Sequence, residues 1–294
     1  MSTPAQDRLR RVAPGLVRSL FDDAAVFPPG NAPVPGAVAA HRDHRHAWYA
    51  EAIGPLLVRP AQVGELLTAS RAGDDLTVGL VADATAGLAG LVEGVTQLFD
   101  QDDRARLVQA EISLPGGHDP AQATRVLVDE LALSVTTYVE VPRTGFEGAL
   151  DVLADDGAER AKYRTGGTTA TPGSPTPEQL AAFVRAALDR RLPFKLTAGL
   201  HHPVRSAAPG APVEHGFLNV LAAVSAGTDG AGAGDLSALL ALTDVAPLLA
   251  VLAGADVSAV RRAFCSFGCC EVNDPVSGLV RLGLLDPDDA GEPS

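Results

Sequence analysis

The sequence predicts an α/β chain closed into a (β/α)8 barrel of the TIM type, with a doubly wound open parallel sheet as the alternative. Three observations carry this. Short apolar runs rich in Val, Leu and Ala alternate with longer helical stretches, the pattern of βα units around a buried parallel sheet. The apolar runs number eight, the strand count of the barrel. The 294 residues fall within the length that such a barrel occupies as one domain.

In chain order, an amphipathic helix is predicted over 5–21, then a first strand over 24–27 (AAVF) and a helix over 36–51. A strand at 55–59 (PLLVR) leads into a helix at 61–69, a strand at 76–81 (LTVGLV) into a helix at 86–99, and a strand at 107–114 into a helix at 120–131. The strand at 135–141 precedes a helix at 145–154, and the strand at 161–164 (AKYR) precedes an irregular stretch, 166–175 (GGTTATPGSP). The best-marked helix follows. Thr176-Pro177-Glu178-Gln179 supplies an N-cap threonine, proline at the first helical position and glutamine at the capping-box position. A strand at 193–197, helices at 216–226 and 236–242, a strand at 263–267 and a helix at 276–282 complete the series. Segment 227–234 (GTDGAGAG), with glycine at four of eight positions, is predicted as a flexible surface loop. Residues 1–285 are expected to form a single barrel domain, and 286–294 a flexible acidic tail.

Composition narrows the partners. Hydrophobic residues at 46% and charged residues at 20% are ordinary for a globular chain, and aromatics at 4% leave Ala, Val and Leu to fill the core. A net charge of -13 opposes binding to a phosphate backbone, which needs lysines and arginines to displace counterions, so nucleic acid is not an expected partner. No run of eighteen apolar residues is present, and MSTPAQDRLRRVAPGLVRSLF does not read as a secretory signal; the expectation is a cytoplasmic protein with no membrane partner. Cys265, Cys269 and Cys270, odd in number and within six residues, read as thiols of a reducing compartment and as small core residues. A small-molecule substrate is expected and a homo-oligomer is left open.

The basic residues carry the sharpest signal. Of 23, 21 are arginine and two are lysine, Lys162 and Lys195. Where surface charge is supplied by arginine, a retained lysine points to what arginine cannot do: lose its proton near neutral pH, act as base or nucleophile, and form an imine. In AKYRTGG, Lys162 and Arg164 share a strand face, followed by Thr165 and by Gly166 and Gly167, whose backbone can approach an anion. In PFKLTAGLHHP, Lys195 and Thr197 repeat the arrangement ahead of His201 and His202. Two ammonium groups roughly 5 Å apart would repel by on the order of 3 kcal/mol at an effective dielectric near 20, enough to bring one lysine toward neutrality.

Lys162 to Gly166 (Lys-x-x-Thr-Gly) and Lys195 to Leu200 (Lys-x-Thr-Ala-Gly-Leu) resemble the Schiff-base strand and the neighbouring lysine strand of deoxyribose-phosphate aldolases, class I aldolases on a (β/α)8 barrel. The resemblance implies that Lys162 forms an imine with a carbonyl substrate, that Lys195 lowers its pKa, and that Glu111 stands where an acidic proton relay is expected. FCSFGCCE differs from that family's final phosphate-binding strand. With its FDDAAVFPP start and GLHHP segment, the chain as a whole is similar to bacterial proteins that carry no assigned activity.

The leading expectation is therefore a lyase of aldolase type acting on a small anionic carbonyl compound. Lys162, Lys195, Glu111 and His201 are its catalytic candidates, and Arg164, Thr165, Gly166, Gly167, Thr197, His202, Asp23 and Glu140 its binding candidates. No cofactor is expected. The enzymatic alternative is a metal-assisted hydrolase or isomerase in which His201, His202 and Glu271 hold a divalent ion such as zinc. The other is a small-molecule binding protein without turnover, since fold alone does not assign chemistry. Glu140 and Arg143 are expected to pair with each other, and the run His41 to His46 is expected to be a solvated helix face.

Overall fold

The computed structural model describes residues 13–99, 104–167, 173–206 and 213–286, and in it eight parallel strands close into a barrel in sequential order. The strands are β1 (Phe21–Asp23), β2 (Ile53–Val58), β3 (Leu76–Ala82), β4 (Ala105–Ser113), β5 (Thr136–Glu140), β6 (Arg160–Arg164), β7 (Phe194–Thr197) and β8 (Phe264–Cys269). β1 pairs with both β2 and β8, which removes every sheet edge and excludes the open doubly wound sheet.

The helices are α1 (Pro14–Val17), α2 (Val34–His46), α3 (Val63–Ala69), α4 (Gly87–Phe99), α5 (Pro120–Glu130), α6 (Glu147–Asp156), α7 (Pro177–Asp189), α8 (Phe217–Thr228), α9 (Ala233–Ala241), α10 (Val245–Leu252), α11 (Val257–Ala263) and α12 (Asn273–Arg281). The α7 start is capped as its sequence requires: Thr176 Oγ1 accepts from the Gln179 amide at 3.3 Å, and Gln179 Oε1 accepts from the Thr176 amide at 2.8 Å. Apolar residues fill the layer between sheet and helices. There Tyr163 stacks on Phe183 with ring centroids 4.3 Å apart, and Phe21 and Phe267 meet Phe217 of α8.

Several expectations are corrected. The first strand is 21–23 rather than 24–27, because Phe21, Asp22 and Asp23 take the ladder positions opposite Phe267, Gly268 and Cys269. An apolar-run criterion passes over a strand that carries two aspartates. The N-terminal helix is reduced, among the described residues, to 14–17, and residues 5–12 of the expected helix lie outside them. Segment 227–234 is not an extended loop: it ends α8 and begins α9, with Asp235 Oδ2 accepting from the Gly232 amide at 3.2 Å. Two helices, α10 and α11, occupy residues that the sequence left unassigned, each started by an aspartate cap, Asp244 and Asp256. Residues 168–172 of the irregular stretch and 287–294 of the expected tail lie outside the described residues. Among the described residues no helix is long and apolar enough to cross a membrane.

Candidate active site

Strand parity decides which side chains meet inside the barrel. Successive side chains on a strand alternate between interior and helix layer, so Tyr163 goes out to Phe183 while Lys162 and Arg164 go in. The β6/β7 register places Lys162 opposite Lys195 and Arg164 opposite Thr197. On β1 the same rule separates two adjacent aspartates. Asp22 faces inward, and Asp23 faces α2, where its Oδ2 meets His41 Nδ1 at 2.9 Å with both side chains buried. Asp23 is therefore not a pocket residue, and His41 is not on a solvated face.

The interior groups form one ion network. Lys162 Nζ lies 2.7 Å from Glu111 Oε2 and 2.9 Å from Glu140 Oε2. Lys195 Nζ lies 2.5 Å from both Glu111 Oε1 and Asp22 Oδ2. Asp22 Oδ2 also accepts from Gln109 Nε2 at 3.0 Å and from Ser266 Oγ at 2.9 Å. Arg164 grips both oxygens of Glu140, at 2.8 and 3.3 Å. Three cations, Lys162, Lys195 and Arg164, thus face three carboxylates, Asp22, Glu111 and Glu140. Such neutrality is what makes burying them tolerable.

The network reverses the electrostatics expected for the lysine pair. Glu111 is wedged between the two ammonium groups, so each meets a carboxylate before it meets the other lysine. Burial alone would lower the Lys195 pKa, but Asp22 and Glu111 overcome it and hold the ammonium above the usual lysine range; Tyr138 adds its ring face at 5.2 Å. Burial likewise opposes ionisation of Glu111 and Glu140, and is outweighed. Lys162 and Lys195 hold Glu111 below the usual carboxylate range, while Lys162 and Arg164 pull Glu140 down to about 2.

Above the network, at the carboxyl ends of the strands, a cavity of about 1210 Å³ opens. Catalytic sites of this fold are built at this face. Lys162, Glu111, Glu140, Arg164 and Thr197 line it, together with Arg59, Asp83 and Arg205. Lys195 does not reach it; its side chain is fully buried beneath. Gly166 and Gly167 border the cavity, and at Gly166 the requirement for glycine is visible, since a Cβ there would lie 2.6 Å from Ala198 Cβ. Thr165 is a correction: fully buried, its Oγ1 donates to the carbonyls of Thr197 and Ala198, ties the end of β6 to that of β7 and does not line the cavity. Arg143 donates to the Gly166 carbonyl and leaves Glu140 to Lys162 and Arg164.

The histidine pair divides. His201 lines the cavity, with Nδ1 3.1 Å from Glu214 Oε2 and Nε2 3.3 Å from Cys270 Sγ. Cys270 and Glu214, chiefly through hydrogen bonds, push its pKa up to about 10. His202 is exposed and borders an outer depression of about 410 Å³ with Glu271, whose Oε1 is engaged by Asn273 at 2.9 Å. Among the described residues no three His, Cys, Asp or Glu side chains converge as metal ligands. Gln109, Ser266, Arg205, Glu214 and Cys270 are site residues that the sequence did not nominate; Asp22 and Arg59 stand at strand ends in the sequence but are not among its binding or catalytic candidates. For Asp22 and Ser266 strand parity would have been the signal; Glu214 and Arg205 lie on a loop and had none.

No protein family matches the sequence, and no curated protein does. Among solved structures, a monomeric dihydrodipicolinate synthase variant aligns at 13% identity and a TM-score of 0.36, over 64% of this chain and 64% of that one.

Proposed function

We propose that this chain is a lyase of the class I aldolase type, in which Lys162 forms an imine with a small anionic carbonyl compound. The observation that carries the reading is the position of Lys162: the lysine bordering the cavity, within 2.7 and 2.9 Å of two ionised carboxylates, with a second lysine locked below it.

The ammonium must first lose its proton to attack. Glu111 or Glu140 takes it over a single hydrogen bond, an uphill transfer because both carboxylates are held below their usual range, which bond formation to the carbonyl carbon then draws forward. The amine nitrogen then bonds the carbonyl carbon and gives one of its protons to the oxygen, and the carbinolamine hydroxyl leaves as water with the second proton, the one held by the carboxylic acid. The resulting iminium withdraws electrons from the adjacent carbon–carbon bond, whose cleavage or formation defines a lyase. Lys195 reacts with nothing in this scheme; it fixes Glu111 and Asp22. Arg59, Arg164 and Arg205 supply the counter-charge for an anionic substrate, beside the backbone of Gly166 and Gly167 at the cavity border.

The test is borohydride reduction in the presence of a pool of small aldehydes, ketones and 2-oxo acids, followed by peptide mapping. A reduced adduct on the Lys162 peptide that requires both carbonyl and reductant is the expected outcome, with its mass naming the substrate. Adducts confined to Lys195, or none across the pool, would overturn the reading.

A further inference from the structure

At the rim of the same cavity, on the loops after β7 and β8, a second set of groups has the geometry of an activated nucleophile. His201 Nδ1 lies 3.2 and 3.1 Å from the two oxygens of Glu214, and its Nε2 lies 3.3 Å from Cys270 Sγ. Nucleophile, base and orienting carboxylate follow one another within hydrogen-bond reach, the relation on which thiol catalysis depends. With Nδ1–H donating to Glu214, the tautomer is set and Nε2 is left facing the thiol. The thiol differs from its neighbours. Cys269 is buried, with Sγ bonded to the Glu271 carbonyl at 3.1 Å, and the Cys265 Sγ receives Arg160 Nη1 at 3.4 Å; neither lines the cavity. Cys270, His201 and Glu214 border both the large cavity and the outer depression, so the thiol has a substrate chamber on one side and an exit on the other.

We infer that Cys270, His201 and Glu214 form a second, thiol-based catalytic centre that attacks the acyl carbon of a small anionic ester or thioester. The Cys270 sulfur, its proton held by His201 Nε2, bonds the acyl carbon, and the bond to the leaving oxygen or sulfur breaks as His201 passes that proton to it. Water, deprotonated by His201, then attacks the Cys270 thioester and releases a carboxylic acid and the free thiol. The preference for an anion follows from Arg205, which borders the cavity and has a buried Nη1 with no hydrogen-bond partner among the described residues. Glu214 is a positioning residue that acts through His201. None of this uses Lys162, so the two readings stand or fall separately.

The probe is the mono-p-nitrophenyl ester of succinic acid, with p-nitrophenyl acetate as its neutral counterpart. A burst of p-nitrophenolate and a succinyl mass on the Cys270 peptide, with Cys265 and Cys269 unlabelled, are expected. Cys270→Ser abolishes the burst, and His201→Gln slows acylation about 100-fold, the scale of general-base catalysis. Glu214→Gln lowers kcat about tenfold at unchanged KM, with rescue by Glu214→Asp, as expected for a group that orients the base. Arg205→Gln raises KM for the succinyl ester and leaves that for the acetyl ester alone. A label spread over Cys265 or Cys269, a full burst in Cys270→Ser, or wild-type acylation in His201→Gln would overturn the assignment. The mapping on the unaltered protein keeps the test valid if a variant fails to fold.

Discussion

The floor and the rim of one cavity are built by opposite means. The floor, Lys162, Lys195, Asp22, Glu111 and Glu140, stands on strands whose ladder fixes each Cα, and most of its charges meet two or more partners with little water in contact. The rim, His201, Glu214 and Cys270, stands on loops, with about a fifth of the His201 and Glu214 side chains exposed and partners on a single path. The difference separates two jobs. Where many charges are buried together, each is needed for the fold; where a few are half-exposed in a chain, loss of one changes reactivity more than stability.

Removing Lys195 should break this contrast most strongly. Lys195→Met leaves Asp22 and Glu111 buried without their shared cation, and truncating one side of such a pair costs about 3–5 kcal/mol. Urea denaturation should show that loss; a change under about 1 kcal/mol would mean that water enters the floor and that the network is not a structural unit. Acid comes next. Glu140 is held down to about 2 from 4.5, so it stabilises the folded state above its unfolded value, and that stability drains away as the pH falls from about 4.5 toward 2. Unfolding followed through this window should show a steeper decline in the wild type than in Glu140→Gln. The smallest effect belongs to the rim. His201 is raised to about 10 from 6.5, so its contribution is complete below about pH 6.5 and is lost as the pH rises toward 10. His201→Gln should cost about 1 kcal/mol or less near neutrality, the scale of a partly exposed pair, and should flatten the alkaline decline; a loss as large as that from Lys195→Met would erase the distinction between the two regions.

The same division governs how far the sequence could be read. Strands β2 to β8 were found because each carries an apolar run whose outer face packs on helices. The lysines were found because arginine had replaced lysine everywhere else. β1 and Asp22 escaped: the strand is three residues long and two of them are aspartates, so its burial depends on partners that arrive from β4, β7 and β8, far along the chain. The aspartate nominated, Asp23, is the wrong neighbour by one position, which on a strand means the opposite face. His41 escaped for a related reason, since its burial depends on Asp23. The rim triad unites residues 201, 214 and 270, a set that only the approach of two loops brings together.

The floor bears on heat as well as on acid. In most barrels of this kind the interior is packed with branched apolar side chains; here a large part of it is salt, and the apolar material is concentrated in the layer outside the sheet. Exposing polar surface lowers the heat capacity of unfolding where apolar surface raises it, and the hydration that competes with buried ions weakens as the temperature rises. A centre of this composition flattens the protein's stability curve, so that the fold gives up less free energy per degree on warming than its size alone would dictate.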